Sequence, residues 1–192
     1  IGNQGIHEMD LCRWGLGDIG LPKTISSTGG KFVYDDDQET PNTQMATFGY
    51  GGKEIMFEVR GLLTGPEGGT PVGTYGVGNL YFGSEGWAWL DERGFQAYKG
   101  EKSEKIADQK NEGGNTTVMH MENFIAACRS RNHKELNAEI EIGATSVILV
   151  HMANISYRTG HTITWDDVKK NFGADAAANK LMTRDYRKPY VV

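Results

Sequence analysis

The strongest constraint on how this chain folds is a pair of alternating segments on either side of Gly51-Gly52. Residues 43–50 and 53–60 each read as a strand. Two glycines between such runs signal a tight hairpin, because the favoured two-residue turns need positive φ. In the second segment Ile55, Phe57 and Val59 alternate with Glu54, Met56, Glu58 and Arg60. One face is apolar and the other mostly polar, as in an antiparallel sheet with one covered face. Residues 23–34 read as extended, rich in Thr, Ile, Ser and Val. Three more short strands, 79–82, 87–90 and 95–98, are separated by Gly83-Ser84-Glu85-Gly86 and Asp91-Glu92-Arg93-Gly94, which makes a meander.

Helical patterns flank these strands. Residues 7–14 read as a short helix stopped by Gly15-Leu16-Gly17, with Pro22 beyond it. Later, Val118, Met121, Phe124, Ile125 and Cys128 share one helical stripe. Ile140, Ala144, Val147, Ile148, His151, Met152 and Ile155 share another. Asn137 is the expected N-cap of that last helix, and Arg158 and Gly160 mark its end. Residues 61–76, rich in Gly, Pro and Thr, have no period and read as a long loop. Residues 162–165 fit one more strand, and the tail to Val192 is polar and irregular. With no βαβ rhythm and no internal repeat, the pattern predicts α+β: a largely antiparallel mixed sheet covered on one face by helices.

Composition narrows the function. The chain has 192 residues, 26 of them glycine, and 20 basic against 25 acidic residues for a net charge of −5. That balance lacks the basic footprint that nucleic-acid phosphates require. No apolar run approaches the roughly 20 residues of a membrane span. Cys12 and Cys128 sit in helical patterns and are expected as two buried unpaired thiols, which leaves the compartment open. The opening residues Ile1-Gly2-Asn3-Gln4-Gly5 carry no initiator Met, signal peptide or tag. The expectation is that 1–192 form one domain of something longer.

Three motifs invite chemistry and fail on context. Gly15-Leu16-Gly17-Asp18-Ile19-Gly20 matches G-x-G-x-x-G, but a dinucleotide fingerprint follows a strand and opens a helix. Here it follows a helix and runs toward Pro22, so a helix stop and turn is expected. His7-Glu8-Met9-Asp10 would need a histidine where Leu11 stands to bind zinc, and the five histidines show no ligand spacing. No metal site is expected. Asp35, Asp37 and Glu39 lack the loop glycine of a calcium-binding hand and read as a solvated turn.

The remaining constellation is Asn3, His7 and Asp10, which share a face at helical spacing. A histidine titrates near neutrality and can take the hydroxyl proton when an alcohol carbon gives up hydride. A histidine near a helix start is more often a satisfied structural group, and Asp10 could orient His7 or as readily bond backbone or Arg13. The residues alone leave these roles open. Trp87, Trp89, Phe95 and Tyr98 could form a carbohydrate platform, but strand alternation favours a core or oligomer face.

The segment Gly2-Asn3-Gln4-Gly5-Ile6-His7-Glu8-Met9-Asp10-Leu11-Cys12-Arg13-Trp14 resembles the opening of the C-terminal domain of the glucose–fructose oxidoreductase / inositol dehydrogenase / rhizopine catabolism (Gfo/Idh/MocA) family. The resemblance continues in 36–42, in Gly83-Ser84-Glu85-Gly86, in 151–160 and in the tail from Ala178 to Arg187, so it covers nearly the whole chain. It implies a dihydrodipicolinate reductase-like C-terminal domain that holds a sugar or polyol. The N-terminal Rossmann domain, which binds NAD or NADP and carries a lysine of the site, would lie outside this sequence. It implies His7 as proton acceptor or relay, with Asn3 and Asp10 on the substrate. The position of Asn3 is often Asp in the family, and an amide can orient a hydroxyl but cannot act as a base. It further implies homo-oligomers made through the sheet, and a fragment inactive alone. Alternatives within the resemblance are an NAD-dependent glycoside hydrolase and a non-catalytic oligomerisation domain. Arg184, Tyr186 and Arg187 either line the cleft or belong to a solvated tail.

Overall fold

The hairpin around Gly51-Gly52 forms as its sequence requires. In the computed structural model, which describes residues 1–3, 5–17, 19–61 and 77–190, β2 (Thr43–Gly49) and β3 (Glu54–Arg60) pair antiparallel. Gly51 has φ +88°, and the Tyr50 N–H donates to the Lys53 carbonyl at 2.9 Å to close the loop. β1 (Thr24–Gly30) pairs with β2, and the two-residue β8 (Ile163–Thr164) pairs with the start of β1. The sheet order is β3-β2-β1-β8. The stretch expected as a long loop lies, from 62 to 76, outside the described residues.

The chain divides into two compact units. The first comprises Ile1–Met9, Asp18–Leu63 and Thr145–Val192. Period-2 alternation puts Ile25, Ala46, Phe48 and Ile55 on its covered sheet face, all 4% exposed or less, while Met45 and Met56 point to solvent. Against that face lies α3 (Ile140–Thr159), through Leu149, Val150, Met152 and Ala153. The tail is more ordered than its composition suggests. Asp175 caps α4 (Ala176–Lys180) by accepting from the Ala178 N–H at 3.0 Å. Phe172 is buried and meets Trp165 edge to face, with ring centroids 5.3 Å apart.

The second unit comprises Asp10–Gly17 and Thr64–Ala144. Its sheet runs β4-β5-β6-β7, with β4 (Asn79–Phe82), β5 (Gly86–Asp91), β6 (Gly94–Lys99) and β7 (Glu104–Lys110), every pair antiparallel. The fold is thus α+β and antiparallel as expected, with the strands divided between two sheets. The meander has one strand more than its apolar pattern announces. β7 is polar because it is an exposed edge, and charges on an edge discourage pairing with another chain. Trp89 is 5% exposed, and Trp87 stacks on Tyr98 with centroids 4.2 Å apart. Phe95 lies on the other strand face and is half-exposed, so the expected aromatic cluster is split. α2 (Thr116–Ser130) follows, capped by Asn115, whose side chain accepts from the Val118 N–H. A 3-10 turn at His133–Glu135 leads into α3.

Two helix expectations need correction. Asn137 does not cap α3. Its N–H donates to the Asn123 side chain, and the Glu139 carboxylate accepts from the Glu141 N–H at 2.7 Å instead. The buried face of α3 is also rotated from the apolar stripe: Ile140, Val147, Ile148 and His151 are exposed, whereas Ser146 and Ser156 are fully buried. Small hydroxyl residues let a helix approach a sheet and bond to it, which hydropathy alone scores as polar. Cys128 is likewise exposed on α2 rather than buried. Cys12 is half-buried, and burial pushes its thiol up to about 11. No helix among the described residues is long and apolar enough to cross a membrane.

Candidate functional site

The site begins with the way α1 (Gly5–Gly15) is seated. The Gly5 N–H donates to the Ile1 carbonyl at 2.9 Å, which curls the chain into the helix. Gly5 is buried. A Cβ on it would stand 3.1 Å from the Phe57 ring and 3.2 Å from the Ile1 side chain, so the missing side chain is what lets this end of α1 lie on β3. The turn before it rests on α3, where a Cβ on Gly2 would be 3.8 Å from the Val150 side chain. Four residues past Gly5, Met9 is fully buried. The period then carries the buried face on to Arg13, 3% exposed, whose guanidinium donates to the Ile142 carbonyl at 3.0 Å.

His7 falls on the opposite side of α1 from Gly5 and Met9, and it is exposed. No hydrogen bond or ion pair of the His7 side chain is found among the described residues. Asn3 is exposed in the turn that precedes the helix, so it is not itself helical. Asp10 is half-buried, one turn beyond His7, where α1 enters the second unit. The structure therefore sets Asn3 and His7 in one unit at the solvent face of the α1 start, and Asp10 at the edge of the other. An exposed imidazole can accept a hydroxyl proton and an exposed amide can orient a hydroxyl, which is the chemistry the residue types allow.

The glycine motif that follows is a helix terminus. Gly15 is the last residue of α1, Gly17 has φ +85°, and its N–H returns to the Trp14 carbonyl at 3.1 Å. That is the left-handed close of a helix, not the opening of one that cradles pyrophosphate. Arg184, Tyr186 and Arg187 are exposed in the tail, with the Arg184 guanidinium 5.1 Å from the Tyr186 ring centroid and that of Arg187 5.7 Å from Tyr190. Among the described residues no group of three His, Cys, Asp or Glu side chains could hold a metal ion.

Sequence reasoning missed a buried polar network in the first unit. The Ser27 N–H donates to Ser156 Oγ at 3.0 Å, and that hydroxyl donates to the His161 carbonyl at 2.8 Å. Gln44, with no exposed surface, gives its Nε2 to Ser27 Oγ at 3.0 Å, while its Oε1 has no partner among the described residues. Asn154 Oδ1 stands 3.5 Å from the same Nε2. The signal was present as serines and amides inside apolar patterns.

Comparison with known proteins bears on the family and the fold. The family model of the oxidoreductase C-terminal alpha/beta domain matches residues 85–192. A search of curated proteins finds no match. Among solved structures, the WlbA dehydrogenase from Bordetella pertussis in complex with NADH and UDP-GlcNAcA is 19% identical with TM-score 0.50, covering 85% of this chain and 44% of that one. The UDP-N-acetylglucosamine 3-dehydrogenase GnnA from Acidithiobacillus ferrooxidans is 11% identical with TM-score 0.59, covering 81% and 46%. An oxidoreductase from Agrobacterium radiobacter in complex with NAD+, L-tartaric acid and magnesium is 15% identical with TM-score 0.55, covering 84% and 48%. At such identities the likeness is one of fold. The chain spans about half the length of these structures.

Proposed function

We propose, since this chain belongs to the Gfo/Idh/MocA oxidoreductase family and supplies its C-terminal alpha/beta domain, that the parent protein oxidises or reduces a hydroxyl of a sugar, polyol or related carbohydrate with NAD or NADP. The observation that carries this reading is His7, presented to solvent at the start of a helix whose other face is anchored by Gly5 and Met9. Its support is that fold neighbours were solved with NADH and a sugar nucleotide, or with NAD+ and a hydroxy acid.

The only glycine fingerprint of the chain ends a helix, so the dinucleotide falls to an N-terminal Rossmann domain of the parent. When bound, the nicotinamide supplies the hydride acceptor. The His7 imidazole takes the hydroxyl proton as the C–H bond is lost, and returns it in the reverse direction. The Asn3 amide donates to or accepts from the substrate hydroxyl, and the Asp10 carboxylate accepts from a second hydroxyl. The 1–192 domain alone binds substrate without turning it over, and its assembly into homo-oligomers runs through the open sheet.

In the intact parent, His7→Asn lowers kcat by roughly 10²–10⁴. Because His7 is exposed, the melting temperature stays within a degree or two. A variant that keeps full activity, or a parent that binds neither NAD(H) nor NADP(H) by titration calorimetry, overturns the reading. Sugar release from aryl glycosides without net NADH formation points to the hydrolase instead.

A further inference from the structure

The end of the first unit is a small lobe that holds itself together. Asn179 Oδ1 accepts from the Phe172 N–H at 2.8 Å, and Asn179 Nδ2 donates to the Gly173 carbonyl at 3.0 Å. Asp175 caps α4 from within the lobe, and Phe172 and Ala178 are buried, 4% and 0% exposed. A tight turn leads into it, in which Asp166 and Asn171 exchange backbone hydrogen bonds and Lys170 has φ +53°. Among the described residues a single hydrogen bond ties 171–181 to the chain before Trp165. It is the one between His161 Nε2 and Asp175 Oδ2, at 2.7 Å.

That bond is made by a ring with both nitrogens engaged. His161 Nδ1 stands 3.1 Å from the carbonyl of Thr159, the last residue of α3, while Nε2 faces the carboxylate. A carbonyl and an ionised carboxylate only accept, so both nitrogens must donate, which the imidazolium alone can do. The neutral ring has one N–H. In one tautomer its lone pair meets the carboxylate, and in the other it meets the Thr159 oxygen. Loss of a single proton therefore removes one of the two contacts whichever way the ring settles, and the charge attraction to Asp175 goes with it. Asp175 is the charged group that acts on the ring. Lys169 and Lys170, in the turn before the lobe, pair with Asp166 and Asp167 instead. Arg158 of α3 and Lys180 of α4 make no ion pair among the described residues.

We propose that the His161–Asp175 bond is a proton-operated latch: with the ring charged it fastens residues 171–181 to the corner between α3 and β8, and on loss of the proton they open locally about the 166–171 turn. The test is native-state proteolysis of the intact protein. Chymotrypsin cleaves after Phe172 and after Phe48, both buried and both followed by glycine. Each rate, divided by that of a short peptide of the same sequence at the same pH, reports how often that site opens. Cleavage at Phe172 is expected to outrun cleavage at Phe48, and its normalised rate to rise about two- to fivefold from pH 5.5 to 8.5, the range of an exposed ion pair. Asp175→Asn keeps a cap for the Ala178 N–H but removes the charge, and is expected to be cut at Phe172 at the parent's alkaline rate at both pH values. Equal normalised rates at the two phenylalanines mean that the lobe opens only with the whole molecule, and overturn the proposal. A parent rate at Phe172 that is flat with pH, or a rise that persists in Asp175→Asn, also overturns it.

Discussion

Ser156 satisfies two backbone groups with one hydroxyl, accepting from the Ser27 N–H and donating to the His161 carbonyl. The Ser27 bond is buried, and there an unmade hydrogen bond costs the full desolvation of the group left behind. Ser156→Ala is therefore expected to lower stability by about 1–3 kcal/mol in urea unfolding. Gln44→Met should cost less, under about 1 kcal/mol, because Gln44 Oε1 already lacks a partner among the described residues and the thioether fills a similar volume. A larger loss for Gln44 than for Ser156 would contradict this ranking. Neither residue was legible in the sequence: a serine inside an apolar repeat reads as an interruption, and a glutamine in a strand reads as solvent-facing. His7 was singled out by its residue type and its spacing to Asn3 and Asp10; the structure adds that it is exposed, opposite the buried Gly5 and Met9.

At the scale of elements, hydrophobic alternation located β2, β3 and the first three strands of the meander, because each has a covered face. It passed over β7, whose seven residues keep only Ala107 partly covered. It found α2 and α3, but the stripe it drew on α3 mixes the exposed Ile140, Val147, Ile148 and His151 with the buried Met152 and Ile155. The end of α1 shows a fit that no pattern reveals. Tyr81 of β4 lies across it, its hydroxyl donating to the Leu11 carbonyl at 2.8 Å, and a Cβ on Gly15 would overlap the ring. Gly15→Ala should therefore destabilise the second unit by about 1–3 kcal/mol, as overpacking does, against the helix-propensity gain of about 1 kcal/mol. Tyr81→Phe, which removes only the hydrogen bond, should cost about 1 kcal/mol. A stabilised Gly15→Ala variant in thermal melts would refute the overlap.

At the scale of the whole molecule, one contribution to the pH dependence of stability comes from a pair on the first unit. His161 Nε2 lies 2.7 Å from the Asp175 carboxylate. The bond to Asp175, helped by the Thr159 carbonyl, holds the imidazole above its usual value. Asp175 is held below the usual carboxylate range by the Ala178 N–H and then by His161. The raised His161 adds stability that is complete below the ordinary imidazole value and is lost as pH rises through the folded one. The lowered Asp175 adds stability that is complete above the ordinary carboxylate value and is lost as pH falls through the folded one. The pair contributes most between the two, in mildly acidic solution. In melts recorded from pH 4 to 9, His161→Gln should lose most relative to the parent near pH 5–6, with the difference shrinking above neutrality. An equal loss at every pH would contradict the linkage.

The shortness of β8 gives this fold a built-in reporter. Past Ile25 the outer edge of β1 has no neighbouring strand among the described residues, and at Ser27 a helix hydroxyl takes the place a strand carbonyl would fill. The Ser27 amide is thus shielded from deuterium only while α3 is seated, whereas the amides of β2 are shielded by the β1–β3 ladder. In native-state exchange the Ser27 amide should follow the lifting of the helix, and a faster exchange there than at Ala46 would measure how much more readily that layer opens than the sheet beneath it.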